Sequence, residues 1–78
     1  MEAIEVTANF DSDGRVTPLR FHWHDRAYPI DNTGRRWILP DGEHILVMTL
    51  SGRMFELLFT RAEGRWYLVN ASPPGTQA

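Results

Sequence analysis

Cysteine is absent from these 78 residues, which excludes a disulfide framework, a thiolate metal cluster and a cysteine nucleophile. Lysine is absent too. All eight basic side chains are arginine, against ten acidic ones, for a formal net charge of −2. With no run of basic residues, that balance argues against strong non-specific nucleic-acid binding, though a local patch can still exist. Glycines stand singly, so no phosphate-cradling loop is present. Ser12, Ser51 and Ser72 lie in turns or in the tail with no nucleophile elbow around them. No apolar stretch approaches the roughly 20 residues that cross a bilayer, and Glu2 and Glu5 stand where a targeting segment would carry basic residues. The expectations are therefore a cytoplasmic chain with no membrane partner, no cofactor and no enzymatic activity of its own.

What is present is apolar and aromatic: 42% hydrophobic and 12% aromatic residues with 23% charged, the balance of a globular chain. One domain with one modest core is expected over residues 1–70. Its surplus stability is small at this size, because burial must offset chain entropy unaided.

Alternation of apolar with polar residues predicts antiparallel strands. Ile4, Val6, Ala8 and Phe10 alternate with Glu5, Thr7 and Asn9, up to a turn at Asp11-Ser12-Asp13-Gly14 in which carboxylates cap the backbone. In the next strand Leu19, Phe21 and Trp23 take one face, and Arg20, His22 and His24 the other. A loop at Asp25-Arg26 would set Trp23 against Tyr28 and Phe21 against Ile30. Pro29 cannot donate to a ladder, which places its strand at an edge or beside a bulge. Asp31-Asn32-Thr33-Gly34 reads as a turn, Arg35 to Leu39 as a short strand, and Pro40-Asp41-Gly42-Glu43 as another break.

Two longer strands follow, His44 to Leu50 and Arg53 to Thr60. Joined by a two-residue Ser51-Gly52 loop, they would pair Met48 with Phe55, Leu46 with Leu57, Ile45 with Leu58, Val47 with Glu56 and Thr49 with Met54. Both faces are then largely apolar. Either the sheet curls to cover both, or Ile45, Val47, Met54 and Leu58 form a self-association face, which would make a homodimer. Gly64 suits the left-handed position of the turn before a last strand, Trp66 to Val69. Residues 71–78, with Pro73-Pro74, read as a flexible C-terminal tail.

Three sets of side chains are candidate sites. An H-x-H pair on a strand, His22 and His24, aims two imidazoles from one face about 7 Å apart at Cα. Those two could share a metal ion, with His44 or Asp25 as a further ligand, but no second ligand motif stands at a familiar spacing. The polar face of Arg20, His22, His24 and Arg26, joined by Arg35 and Arg36, could meet phosphates while Trp37 or Tyr67 stacks on a base. The aromatics Trp23, Tyr28, Trp37, Trp66 and Tyr67 could line a peptide groove. Trp23 and Trp66 alternate with polar residues as core positions do.

The succession Pro18-Leu19-Arg20-Phe21-His22-Trp23, Tyr28-Pro29-Ile30, Arg36-Trp37 and Gly64-Arg65-Trp66-Tyr67-Leu68 resembles a group of small uncharacterised bacterial all-β domains. Those share an F-x-W, a Tyr, a central Trp and a closing G-x-W-x-L. The resemblance implies a compact all-β bacterial domain and carries no activity, cofactor or binding residue with it. The expected fold is thus all-β, five to six antiparallel strands curled as a small SH3-like barrel or roll. The expected function is a non-catalytic interaction module that binds a protein partner and self-associates. The alternative is a nucleic-acid-binding barrel using the Arg/His face, and the third reading is metal binding through H-x-H.

Overall fold

In the computed structural model, which describes residues 1–72, six antiparallel strands close into one small barrel in the order β1-β2-β3-β4-β5-β6. They are β1 (Glu2–Phe10), β2 (Val16–Trp23), β3 (Arg26–Leu39), β4 (Gly42–Thr49), β5 (Met54–Thr60) and β6 (Arg65–Ala71). Among the described residues no helix is long and apolar enough to cross a membrane.

The interior is one cluster of Val16, Phe21, Ile45, Val47, Phe55, Leu57, Phe59, Trp66 and Leu68. Each such side chain contributes roughly 1.5 to 3 kcal/mol when fully buried. Aromatic rings organise one end of it. Phe21 stacks on Tyr28 with centroids 5.1 Å apart, and Phe55 meets Phe21, Trp23 and Tyr28 edge-on at 4.9 to 5.7 Å.

Four local features differ from the sequence expectation for a backbone reason, and a fifth difference is the reach of the last strand. The β2–β3 turn is His24-Asp25, so Trp23 pairs with Arg26 and Phe21 with Tyr28. Both turn residues are left-handed, at φ 52° and 62°. That mirror-image turn needs residues that tolerate positive φ, which His and Asp do better than Arg.

The β4–β5 loop is three residues, Leu50-Ser51-Gly52, with Gly52 at φ 85° and Thr49 and Arg53 facing each other through a 3.0 Å backbone bond. Ser51 could not share the left-handed conformation that a two-residue loop demands, whereas a type I turn ending in Gly needs one such position only. The register therefore slips by one: Val47 pairs with Phe55, Ile45 with Leu57, Leu46 with Glu56 and Met48 with Met54.

Leu19 is an extra residue in β2, since Thr7 pairs with Arg20 but Ala8 with Pro18. Pro18 lacks the N–H a regular ladder would use, so the bulge falls beside it. Val16 and Pro18 thereby turn inward and Leu19 outward.

Finally, β3 does not turn at Asp31 to Gly34. It continues for 14 residues, its register against β4 shifting between Ile30 and Asn32 and again between Thr33 and Arg36. The first shift lies beside Pro29, as expected. Ala71 is strand rather than tail, and Ser72 is held by Arg53 and Met54 at 2.7 to 3.1 Å; the rest of the expected tail lies outside the described residues.

Candidate functional site

Because antiparallel partners share a face, the register identifies what looks outward. One outward row crosses four strands as Trp37, His44, Leu58 and Tyr67. His44 sits at its centre, only 5% exposed. Its Nδ1 lies 2.7 Å from Glu56 Oε2 and its Nε2 2.9 Å from Asp41 Oδ1. Asn70 Nδ2 donates to the other Glu56 oxygen at 3.0 Å. The Trp37 indole stacks on the imidazole at 5.4 Å and 13°, with the Arg35 guanidinium 5.3 Å from the same indole. Burial alone would lower the His44 pKa, but the hydrogen bonds and charges of Asp41 and Glu56 outweigh it and hold it above the ordinary 6.5. Both ring nitrogens are occupied, so this imidazole has no free position for a metal or a substrate proton.

The expected binding set is split by the closure of the barrel. Trp37 and Tyr67 lie in the row just described. Arg20 and His22 point outward from β2, which is opposite β5 in the strand order. His24 is in the turn, so the strand geometry that made H-x-H a chelating pair does not form, and Arg26 pairs with Trp23. His22 Nδ1 lies 3.8 Å from Glu5 Oε1 and His24 Nε2 3.8 Å from Glu2 Oε1. Glu2 Oε1 also accepts from Trp23 Nε1 at 3.2 Å. Among the described residues no cluster of three or more metal-ligating side chains is arranged to hold an ion.

The expected self-association face does not exist as a face. Ile45 and Val47 are inside the barrel and fully buried, Leu58 is covered on the outer side, and only Met54 is half-exposed. The one-residue register slip is the reason, since it exchanges the two faces of β4 relative to β5.

Exposed apolar surface collects elsewhere. At the barrel end holding the β1–β2, β3–β4 and β5–β6 turns, Phe10 is 55% exposed, Ile38 78% and Leu39 47%. Ile38 shares an inward row with Glu43 and Phe59, and the Phe10 ring meets Phe59 edge-on at 5.6 Å. Arg61 leans over Phe59 and donates to the Gly14 carbonyl at 2.6 Å, strapping one turn to another.

Beneath this mouth lies a polar strut. Arg36 points inward from β3, donates from Nε to Glu43 Oε2 at 3.0 Å and from Nη2 to the Val16 carbonyl of β2. The β2–β3 ladder ends at Pro29, so this side chain bridges the seam that the backbone leaves open. Its Nη1 is buried without a partner.

Pattern reading does not find the apolar mouth, and it assigns Arg36 to a phosphate-binding face and His44 to a metal site, whereas Arg36 is an inward strut and His44 is clamped by Asp41 and Glu56. Pro29 and the Gly of Leu50-Ser51-Gly52 were the signals that could have located them, since they set where the ladders stop and shift. No family model, curated protein or solved structure matches this chain.

Proposed function

We propose that this chain is a non-catalytic interaction module, and that the apolar mouth of Phe10, Ile38 and Leu39 is where it meets a protein partner. The observation that carries the reading is the gathering of these three exposed apolar side chains at one end of an otherwise closed barrel. Isolated exposed leucines are ordinary, but Phe10 and Ile38 on the inward face of one barrel end, with Leu39 beside Ile38 on its outer rim, resemble the apolar centre of an interface. The non-catalytic part rests on His44, the best-positioned imidazole, having both nitrogens committed to carboxylates beneath Trp37. A nucleic-acid reading through Arg20, His22, His24 and Arg26 has less support, because a glutamate lies within 4 Å of each histidine and Trp37 and Tyr67 stand on other strands.

The test places a photo-crosslinking residue at Ile38 and, as control, at Arg20 in the protein expressed in its own cell. A discrete protein adduct at position 38 and none at 20 is the expected outcome. No adduct at 38, with the variant folded and abundant, would refute it.

A further inference from the structure

Strand β1 is unevenly partnered. It pairs with β2 from Glu5 to Phe10, but with β6 only from Glu2 to Ile4. Among the described residues no turn or loop backbone bond reaches Glu5 to Phe10. Their second side is an open ladder edge that no side chain among the described residues bridges as Arg36 bridges the β2–β3 seam, and such an edge is a template for another strand. The extra residue opposite it, Leu19, belongs to β2, so β1 itself keeps a regular pleat. Two further observations mark the place as unfinished. Ile4, Val6 and Ala8 face the core yet are only partly buried. A groove of about 880 Å³ opens at the N-terminal start of this edge, where Ile4 and Val6 face Gly64, Arg65 and Trp66 on one side and Trp23 and the His24-Asp25 turn on the other.

We propose that this edge is filled by the same edge of a second copy, paired antiparallel about a twofold axis at Thr7. The inference rests on reading the chain as an interaction module and names one occupant. The free span Glu5 to Asn9 is centred on Thr7, and that register is self-complementary. Thr7 meets Thr7, Val6 meets Ala8, and Glu5 meets Asn9, so no like charges stand directly opposed. The same register carries the exposed Phe10 to Ile4 of the other copy. There the ladder side is already taken by Trp66, so the ring enters the groove instead of a ladder position. Each copy gives a Phe10 and receives one, which closes the assembly as a dimer and leaves no edge for a third chain.

Thr7 points outward and is exposed, so it can be changed without entering the core. Directly opposite residues of an antiparallel pair stand about 4.5 to 5.5 Å apart at Cα, within disulfide range. No native cysteine competes. Sedimentation velocity from micromolar to millimolar protein should show a dimer for the natural chain. Oxidation should link Thr7→Cys into a covalent dimer while Arg20→Cys, outward on the neighbouring strand, stays single. Thr7→Lys, which opposes two charges across the axis, should run as a folded monomer by circular dichroism.

A natural chain monomeric throughout would overturn the pairing, as would a dimer that Thr7→Lys leaves intact and Ile38→Asp dissolves. In either case an adduct at Ile38 would leave the module reading standing. Conversely, a Thr7-linked dimer without any Ile38 adduct would keep this pairing and remove the apolar mouth as the contact site.

Discussion

Replacing Glu56 by Gln keeps the volume of that side chain and removes its charge, which isolates the electrostatics of the clamped histidine. In the native protein both Glu56 oxygens accept, one from His44 and one from Asn70. A glutamine offers one oxygen and one NH₂, so with its oxygen kept for Asn70 the His44 Nδ1 must either face a donor or give up its proton to accept from the amide. The Glu56 side chain is 15% exposed, so water cannot readily replace the lost partner. Loss of a hydrogen bond to a charged group costs about 1.5 to 3 kcal/mol, and an unsatisfied buried donor about 1 to 3. Because both sums describe overlapping groups, a cost near 3 kcal/mol is expected, against a total of about 4 to 12 kcal/mol for a chain this size.

The pH dependence gives a second readout of the same change. A histidine whose folded pKa is raised binds its proton more tightly when folded. Its contribution is complete below the unfolded value of 6.5 and is lost as pH climbs through the higher folded value. The natural protein should therefore lose stability from near neutral pH upward, while Glu56→Gln, with one raising partner gone, should lose less over the same window. Urea unfolding followed by tryptophan fluorescence at several pH values measures both quantities. A Glu56→Gln cost below about 0.5 kcal/mol, typical of surface substitutions, together with an unchanged pH slope, would refute the reasoning.

Three other substitutions probe the backbone devices. Arg36→Met strands the largely buried Glu43 and opens the β2–β3 seam; a loss of about 3 to 5 kcal/mol is expected, and adding Glu43→Leu should recover much of it, read by urea midpoints. At Gly42, with φ at +143°, an added Cβ would lie 2.4 Å from the Phe59 carbonyl oxygen, whereas at Gly14 it meets nothing within 4 Å. Gly42→Ala should thus destabilise much more than Gly14→Ala, whose cost is about 1 to 2 kcal/mol from left-handed strain alone, and thermal unfolding would rank them. Changing His24-Asp25 to Asn-Gly supplies the preferred pair for a turn with two positive φ values and should raise stability by about 0.5 to 2 kcal/mol; no gain in the unfolding midpoint would contradict the turn assignment.

How much of this was legible in the chain divides along one physical line. Alternation reports which residues are strand, and it identified an all-β class of five to six antiparallel strands, the turn capped by Asp11 and the left-handed Gly64, where φ is 66°. It does not report register, which depends on how many residues a turn consumes. Reading Ser51-Gly52 as a two-residue loop puts Val47 opposite Glu56 and leaves His44 without a carboxylate. Adding Leu50 to the loop brings Glu56 diagonally beside His44 and turns Ile45 and Val47 from a surface into core. A single residue in a turn thus decides between an exposed apolar face and a buried ion cluster.

That count was recoverable in principle, because a two-residue hairpin loop requires positive φ at its first position or at both, and serine is a poor occupant of the first. The same criterion separates His24-Asp25 from Asp25-Arg26. For β3 no such rule operates. Asp31 to Gly34 has the composition of a turn and is held extended by ladder partners on β4 and by the need to cross from one wall of the barrel to the other. Local preference there costs less than the pairing it would forfeit. The consequence reaches the candidate sites: the two register shifts leave Arg36 on the inward face but slide it from a place opposite Glu43 to one opposite Ile45, so the neighbours of this polar strut are set by bulges that no periodicity announces.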